Sequence, residues 1–165
     1  MVKESFIALT LIFTSTSLLA SEHEGSTAKY RDSISFDARF GFSPYLGIIG
    51  LEIQKEHYAL GFGLPGNLGF TYYDKPQSDS IFYSVGIGQF SDDEYNDTKD
   101  GVYYTDFESQ FFSAGAGYRW YWPSGWNITA SLSIQFSSDE YKNSYQVLEE
   151  DVVILFPGLM AGYVF

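Results

Sequence analysis

The sequence predicts an all-β protein, a closed antiparallel up-and-down β-barrel of about eight strands that crosses a membrane. Apolar residues alternate with small or polar ones almost throughout from Ser33 to the last residue, which is the period of a β-strand. The less apolar face of these strands carries mainly Gly, Ser and Ala and few charges. Aromatic residues make up 19% of the 165 residues and charged residues only 18%, below the roughly 25% of soluble domains.

The first 20 residues have the composition of a cleaved export signal. Lys3 precedes an apolar and hydroxyl-rich run from Phe6 to Leu19, and Ala20 and Ser21 supply small residues at a cleavage site. The run is shorter than the ~20 residues of a membrane-spanning helix, so an anchor helix is the less favoured alternative. We therefore expect a signal peptide over residues 1–20, a periplasmic segment over 21–32 and the barrel over 33–165.

Charge and cysteine content exclude several classes of function. The chain has 9 Lys and Arg against 21 Asp and Glu, a net charge of −12, which disfavours nucleic-acid binding because a phosphate backbone requires a basic surface. Cysteine is absent, which excludes disulfides, thiolate metal sites, cysteine nucleophiles and a lipid-modified cysteine. The length fits one domain and leaves no room for a second, catalytic one.

The first four strands are predicted as two hairpins with short turns. Strand one covers about 33–42 and ends before Pro44. Strand two covers 47–54 and turns at Lys55 and Glu56 into strand three, which ends at Leu64. Pro65 and Gly66 signal the next turn, and strand four follows as far as Tyr73.

The other four strands are predicted to be joined by two acidic loops and one tight turn. Strand five covers 80–90, and an acidic loop over 91–106 leads to strand six at about 107–121. The segment from Trp122 to Gly125 turns the chain into strand seven at 126–136. A second acidic loop, 137–151, precedes strand eight at 152–165.

The chemistry of the two strand faces indicates which face is inside. The less apolar face of strand seven carries Asn127, Thr129 and Ser131, whereas a water-facing sheet would carry Lys and Glu. The opposite faces carry Phe, Tyr, Trp, Ile and Leu, which suit hydrocarbon, and a closed barrel leaves no unpaired backbone edge there. Alternation alone also fits a soluble, lipocalin-like periplasmic binder, which stays open as an alternative.

Aromatic residues are expected to form girdles at the two membrane–water boundaries. One girdle lies at the turn between strands six and seven and at the C-terminus; its members are Trp120, Trp122, Trp126, Tyr163 and Phe165. The opposite rim, at the feet of the acidic loops, would hold Phe42, Tyr45, Tyr103, Tyr104, Tyr141 and Tyr145. Short connections on one side and long ones on the other are typical of outer-membrane barrels, whose long loops are extracellular.

The last strand carries a recognisable end pattern. Leu159, Ala161, Tyr163 and the terminal Phe165 occupy alternate positions, which is similar to the C-terminal signal of bacterial outer-membrane barrels. Nearly all of the mature chain resembles, in its pattern, the small eight-stranded OmpA/OmpX class. The resemblance implies a location in the outer membrane of a Gram-negative bacterium, contact with its lipids and lipopolysaccharide, and recognition by the barrel-assembly machinery. We expect a monomer.

Four charged residues fall on the predicted inward face: Asp37, Arg39, Glu52 and Arg119. Buried charges must be paired, so we expect a polar network in the lumen. Eight strands enclose only enough space for side chains, which argues against an open pore. A narrow channel for small or apolar solutes is the alternative that this polar interior leaves open.

The first acidic loop offers hard oxygen ligands of the kind that bind calcium. The candidate ligands are Asp92, Glu94, Asn96, Asp97 and Asp100. The segment lacks the alternate-residue Asp pattern and the closing bidentate Glu of an EF-hand loop, so a solvated surface loop is the favoured interpretation.

Neither histidine is placed for catalysis. His23 follows the signal, and His57 lies in the tight turn after strand two, away from the outer rim where small-barrel lipid-modifying enzymes bring Ser, His and an acidic or amide partner together. We therefore predict a structural or surface-interaction role without catalytic residues or cofactor. A lipid-modifying outer-membrane enzyme is the remaining alternative.

Overall fold

The computed structural model describes residues 34–99 and 101–165. The expected signal peptide and the segment 21–32 lie outside the described residues. Ten strands are present in the described part: β1 (Ser35–Ser43), β2 (Gly47–Lys55), β3 (Tyr58–Leu64), β4 (Asn67–Tyr73), β5 (Ser80–Asp92), β6 (Asp97–Lys99), β7 (Val102–Tyr104), β8 (Asp106–Tyr121), β9 (Trp126–Lys142) and β10 (Val147–Val164). Within the same ranges, no helix is long and apolar enough to cross a membrane.

Eight of these strands form one closed barrel. Each strand pairs antiparallel with the next in the order β1, β2, β3, β4, β5, β8, β9, β10, and β10 pairs with β1 to close the sheet. The short strands β6 and β7 form a separate hairpin in the connection between β5 and β8. The prediction of an all-β, closed, eight-stranded antiparallel up-and-down barrel is therefore confirmed.

The strand registers define the stagger of the barrel. One row of paired residues starts at Val153 of β10 and passes in turn through Phe136, Phe112, Ile87, Leu68, Phe62, Leu51, Ala38 and Tyr163. The row thus returns to β10 ten residues from its start, which fits strands tilted by roughly 35–45°. All members of the row are apolar and lie on the outward face.

The barrel has two different ends. The terminal end holds the start of β1, the end of β10 and the three connections after β2, β4 and β8, which have two, six and four residues. The loop end holds the connections after β1, β3, β5 and β9. We use these two names below.

One wall of the barrel is much taller than the other. β5, β8, β9 and β10 have 13, 16, 17 and 18 residues, whereas β1 to β4 have nine, nine, seven and seven. The additional residues of the longer strands lie at the loop end. The last pair between β10 and β1 is Leu159–Phe42, and from there toward the loop end β10 pairs only with β9. We call the part of these four strands that extends past the barrel the extension.

The predicted second acidic loop, 137–151, is wrong because most of it is strand. β9 continues to Lys142 and β10 begins at Val147, so only residues 143–146 form the connection. Its acidic side chains are compatible with a sheet because they stand on the extension, where Lys142 contacts Glu108 of the neighbouring strand β8 at 3.0 Å and Glu140 of its own strand at 2.8 Å. The first acidic loop is likewise shortened by β5, the β6–β7 hairpin and β8.

Candidate functional site

The interior of the barrel is mostly polar. Strand alternation turns the small and charged residues inward, and these side chains are almost fully buried: Ser35, Asp37, Arg39, Ser43, Glu52, Gln54, Asn67, Thr71, Ser80, Ser84, Ser113, Arg119, Asn127, Thr129 and Ser133. The buried apolar cluster is small and consists of Tyr45, Leu46, Ala59, Tyr73, Phe82 and Met160. The polar interior makes the lumen the first candidate for a functional site.

Arg39 lies between two carboxylates at the centre of the lumen. Its Nη2 is 2.6 Å from Asp37 Oδ2 and 2.7 Å from Glu52 Oε2, and its Nε donates to Asp37 Oδ2 at 2.8 Å. The strands explain this arrangement, because Asp37 of β1 is the register partner of Glu52 of β2, and Arg39 follows two residues later on the same face. A buried ion cluster of this kind needs such complete bonding to offset its desolvation.

Side chains from two other strands complete the bonding of both carboxylates. Tyr73 Oη of β4 donates to Glu52 Oε2 at 2.8 Å and accepts from Arg39 Nη2 at 2.8 Å. Thr71 Oγ1 donates to Glu52 Oε1 at 3.0 Å, and Asn127 Nδ2 of β9 donates to Asp37 at 3.2 Å. The cluster therefore connects β1 and β2 with two strands, β4 and β9, that are not their neighbours in the sheet.

Arg119 joins this cluster indirectly. Its guanidinium lies 3.8 Å from the centre of the Tyr73 ring, and its Nη1 donates to Gln54 Oε1 at 3.1 Å. Among the described residues it forms no ion pair within 4.0 Å. The structure thus brings Asp37, Arg39 and Glu52 into direct contact and places Arg119 beside them across Tyr73.

The connection between β1 and β2, residues 44–46, folds into the barrel and fills the lumen at the loop end. Tyr45 and Leu46 are 1% and 0% exposed. Tyr45 Oη accepts a hydrogen bond from Arg39 Nη1 at 3.3 Å, and the Pro44 carbonyl accepts from Asn67 Nδ2 at 3.3 Å. The expectation that Tyr45 belongs to the rim is therefore wrong; we call residues 44–46 the plug.

Local backbone features direct the plug inward. The β1–β2 register shifts between Phe40 and Ser43, where Gly41 has φ +140, a conformation that side chains with a Cβ rarely adopt. Glycines on the inward faces of the neighbouring strands leave room for the plug. A Cβ on Gly69 would lie 2.7 Å from the Tyr45 carbonyl oxygen, and one on Gly86 would lie 2.8 Å from the Tyr45 Cα.

The β6–β7 hairpin covers the inner face of the extension. The Lys99 ammonium lies 3.6 Å from the centre of the Tyr141 ring and forms an ion pair with Glu150. Desolvation alone would lower the pKa of Lys99, but its hydrogen bonds to Glu150 and Tyr141 raise it above the ordinary value. Tyr95 packs between Phe107 and Tyr141, with ring centres 5.4 and 5.7 Å apart, so the hairpin is anchored by aromatic contacts.

The candidate calcium ligands form hydrogen bonds within their own loop. The main-chain amide of Glu94 donates to Asp92 Oδ1 at 3.0 Å, and Asn96 Oδ1 accepts from the Tyr103 hydroxyl. Asp97 accepts from Tyr95 Oη at 3.2 Å, while Asp100 lies outside the described residues. In the ranges 34–99 and 101–165, no three His, Cys, Asp or Glu side chains converge as metal ligands do.

His57 and a buried serine–aspartate pair, Ser109 and Asp139, lie at opposite ends of the barrel. His57 is in the turn after β2, where its Nδ1 is 2.7 Å from the Tyr73 carbonyl and its ring stacks on Tyr72. Ser109 Oγ donates to Asp139 Oδ1 at 2.6 Å on the inner face of the extension, at the loop end. His23 lies outside the described residues, so no Ser, His and acid set is formed in the described part.

The five predicted girdle residues lie at the terminal end, and three of them are in contact. The Trp126 and Tyr163 ring centres are 5.3 Å apart, and those of Tyr163 and Phe165 are 5.2 Å apart. Trp122 stands in the turn after β8, where its amide donates to the Trp126 carbonyl at 2.9 Å, and Trp120 contacts Tyr118. All five side chains lie on the outer surface near the C-terminus.

The chain matches no protein-family profile, and no curated protein or solved structure matches it. A functional proposal therefore rests on the sequence pattern and on the geometry of the barrel.

We predict that the plug stabilises the barrel. Tyr45→Ala should lower the free energy of unfolding by about 2–5 kcal/mol, because it leaves a cavity where a buried aromatic ring packs. Tyr45→Phe, the matched control, keeps the ring, loses only the hydrogen bond from the charged Arg39 guanidinium and should cost less, at most about 1.5–3 kcal/mol. Urea unfolding followed by tryptophan fluorescence measures both, and a Tyr45→Ala protein as stable as the parent would contradict the prediction.

We predict that Arg39 is required because it neutralises two buried carboxylates. Arg39→Met should destabilise the barrel by about 3–5 kcal/mol, since Asp37 and Glu52 then stay buried without their cation. The triple variant Asp37→Asn, Arg39→Met, Glu52→Gln should recover most of that loss. The same unfolding assay applies, and a triple variant no more stable than Arg39→Met would show that packing, not charge, is the cause.

Proposed function

We propose that the protein is an integral outer-membrane β-barrel of a Gram-negative bacterium, similar to the small OmpA/OmpX class, with a structural or surface-interaction role. The observation that carries the proposal is the distribution of side chains. Charged and polar residues fill the interior, whereas large apolar residues cover the exterior. A water-soluble barrel requires the reverse distribution of side chains, since its outer surface must be hydrated and its interior excludes water.

The outward apolar face has the length expected of a membrane crossing. On β9 every outward residue from Trp126 to Phe136 is apolar, and on β10 the same holds from Tyr163 up to Val153. Each stretch spans eleven residues, within the 9–11 of a tilted transmembrane strand. Ser138 and Asp151 are the next outward residues and mark the change to a polar surface.

The two ends of the barrel support an orientation. The aromatic girdle lies at the terminal end, which we assign to the periplasmic interface, and the polar extension at the loop end, which we assign to the outside. The expected signal peptide and the alternating C-terminal residues agree with export and with recognition by the barrel-assembly machinery. Outer-membrane lipids and lipopolysaccharide would surround a monomer.

The filled lumen favours a structural or surface role over transport. The plug occupies the loop end of the interior, and the Arg39 cluster with Tyr73 occupies the middle. An eight-stranded barrel has little further room. The extension, with its acidic outward face and its β6–β7 hairpin, is then the part that is free to contact other molecules outside the cell.

The first test is membrane fractionation with heat-modifiability. Expressed with residues 1–20, the protein should enter the outer-membrane fraction and should migrate faster on a gel before boiling than after, because a closed barrel resists detergent until it is heated. Boiling of the same sample is the control. A soluble periplasmic protein without a band shift would overturn the proposal and favour the lipocalin-like binder.

A pair of arginine substitutions tests whether the outer face meets hydrocarbon. Leu132→Arg places a charge near the middle of the apolar band of β9 and should cost about 2–4 kcal/mol of stability in a bilayer. Ser138→Arg places the same charge outward on the same strand, beyond the band, and should cost about 0–1 kcal/mol. Equal stability of the two variants in vesicles would contradict a membrane-facing exterior, because both side chains stand on the outward face of the same strand.

A further inference from the structure

Strand β10 has a neighbouring strand on only one side over its first half. It pairs with β9 along residues 147–163 but with β1 only along 159–164. In the described ranges, the side of β10 that faces away from β9 therefore has no partner strand over residues 148–158. We call this side of residues 149–157 the free edge.

Two hydrogen bonds at the end of β10 show which backbone groups point to the free edge. The Phe165 amide donates to the Phe36 carbonyl of β1 at 2.9 Å. The Val164 amide donates at 2.9 Å to the Gly125 carbonyl, which immediately precedes β9. Neighbouring residues of a strand direct their N–H and C=O groups to opposite sides, and the register with β9 is unbroken from 147 to 163. Odd-numbered residues therefore point away from β9, and the free edge presents the N–H and C=O groups of Glu149, Asp151, Val153 and Leu155.

The position of Pro157 agrees with this assignment. Proline has no N–H group, so a sheet tolerates it where that group would face away from the ladder. Pro157 is odd-numbered and stands in register with Leu132 of β9. The sheet thus accommodates a proline on the side of β10 that forms the free edge.

The side chains along the free edge are apolar on both faces of the sheet over residues 152–156. Val153 and Leu155 point outward and are each 63% exposed, and Ile154 on the other face is 38% exposed. Soluble and membrane proteins usually protect a free edge with charges or cover it. Here the charges begin only at Asp151. Unpaired backbone groups beside exposed apolar side chains are the pattern of an edge that accepts a further strand.

An extended segment of another polypeptide is the occupant that matches this edge. Lipid acyl chains can cover the apolar side chains but have no groups that bond the free N–H and C=O groups, whereas an added strand pairs with all of them. Among the described residues, Asp151 and Glu149 form no ion pair. A basic residue directly opposite each carboxylate would therefore stabilise the pairing.

A second copy of this chain matches the edge less well. Two barrels related by a two-fold axis along the membrane normal have β10 strands that run to the same side of the membrane with opposite tilt. Such strands cross at roughly 70–90°, twice the tilt of a barrel strand, and cannot form a ladder.

We propose that the free edge binds an extended segment of another polypeptide at the outer surface by antiparallel strand addition. The segment carries apolar residues opposite 152–156 and Lys or Arg opposite Asp151 and Glu149. Its apolar end lies at the upper limit of the apolar band, and its basic end lies beside the polar extension. This inference deepens the proposed surface-interaction role and rests on it for the side of the membrane at which the partner is met.

The test is peptide binding to the full mature protein in detergent, measured by fluorescence anisotropy. The probe is the peptide Val-Val-Thr-Val-Val-Lys-Thr-Lys with a dye at its C-terminus, which pairs antiparallel with residues 156 to 149. The parent protein should bind it about fivefold or more tightly than the same peptide with both lysines replaced by glutamate. N-methylation of the second and fourth residues removes donors that face β10 and should weaken binding about tenfold.

Two substitutions at one position separate the backbone from the side chain. Leu155→Pro removes a free-edge N–H, and its ring obstructs an added strand, so it should weaken peptide binding about tenfold. Leu155→Ala, the matched control, removes the same side chain but keeps the N–H and should weaken binding only about twofold. Val153→Pro is a second variant with the expected loss of Leu155→Pro.

A second pair of variants tests the charges. Asp151→Asn with Glu149→Gln should reduce the preference for the lysine peptide severalfold. Asp93→Asn with Glu94→Gln changes the net charge equally in the connection after β5, away from the free edge, and should keep the preference of the parent.

Failure of the parent to bind the lysine peptide, or equal losses in Leu155→Pro and Leu155→Ala, would overturn the inference. Binding that appears only after residues 21–32 are deleted would also overturn it, in favour of the chain's own N-terminal segment as the occupant. Each variant is first checked for membrane insertion and the band shift. A barrel that inserts but binds no peptide contradicts only the free-edge inference, whereas a chain that does not insert contradicts the proposed function.

Discussion

Closure of the sheet by the β1–β10 pairing is the constraint on which the other features of the molecule depend. Eight strands with a stagger of ten residues fix the width of the interior, and that width accepts side chains but little else. Inward positions therefore carry Gly and Ser wherever a larger side chain or the plug occupies the interior. The plug residues Tyr45 and Leu46 occupy the space that those small residues leave.

The extension begins where the sheet is no longer closed into a barrel. Past the Leu159–Phe42 pair the sheet has only four strands, and its outward residues change from apolar to polar within two positions: Phe136 to Ser138 on β9, and Val153 to Asp151 on β10. The surface chemistry changes where the surroundings of the chain are proposed to change from lipid to water.

The sequence predicts the barrel strands well because their periodicity is local. β1 to β4 lie within about two residues of their predicted bounds, since Pro and Gly mark the connections after β1 and after β3, and the change in alternation marks the turn after β2. Periodicity does not tell whether charged residues stand on a loop or on a strand that projects into water, and for this reason the prediction of a loop over 137–151 is wrong. Alternation also does not give the direction in which a connection folds, which is why the prediction of Tyr45 at the rim is wrong. The inward glycines facing that connection, Gly61, Gly63, Gly69 and Gly86, were the signal available for the plug.

The contacts in the lumen followed from the sequence only in part. Alternation puts Asp37, Arg39, Glu52 and Arg119 on inward faces, but their contacts depend on which strands lie across the interior. The register pairs Asp37 with Glu52, whereas Arg119 stands across Tyr73 and meets Gln54 instead of a carboxylate. Closure of the sheet, which no short segment encodes, decides between these arrangements.

The buried ion cluster also accounts for how one register is selected. A slip of β1 by one residue would turn Asp37 and Arg39 to the outer face, and β2 would expose Glu52 in the same way. Each charge moved from the lumen to the proposed hydrocarbon band would cost up to about 2–4 kcal/mol for Arg and less for an acid, and would also break the contacts to Tyr73, Thr71 and Asn127. The apolar outer residues alone would favour the observed register over a shifted one less strongly, because several inward positions are Gly, Ala or Ser, which tolerate either face. The buried charges in the lumen therefore make the observed pairing of β1 and β2 far more favourable than the pairings shifted by one residue.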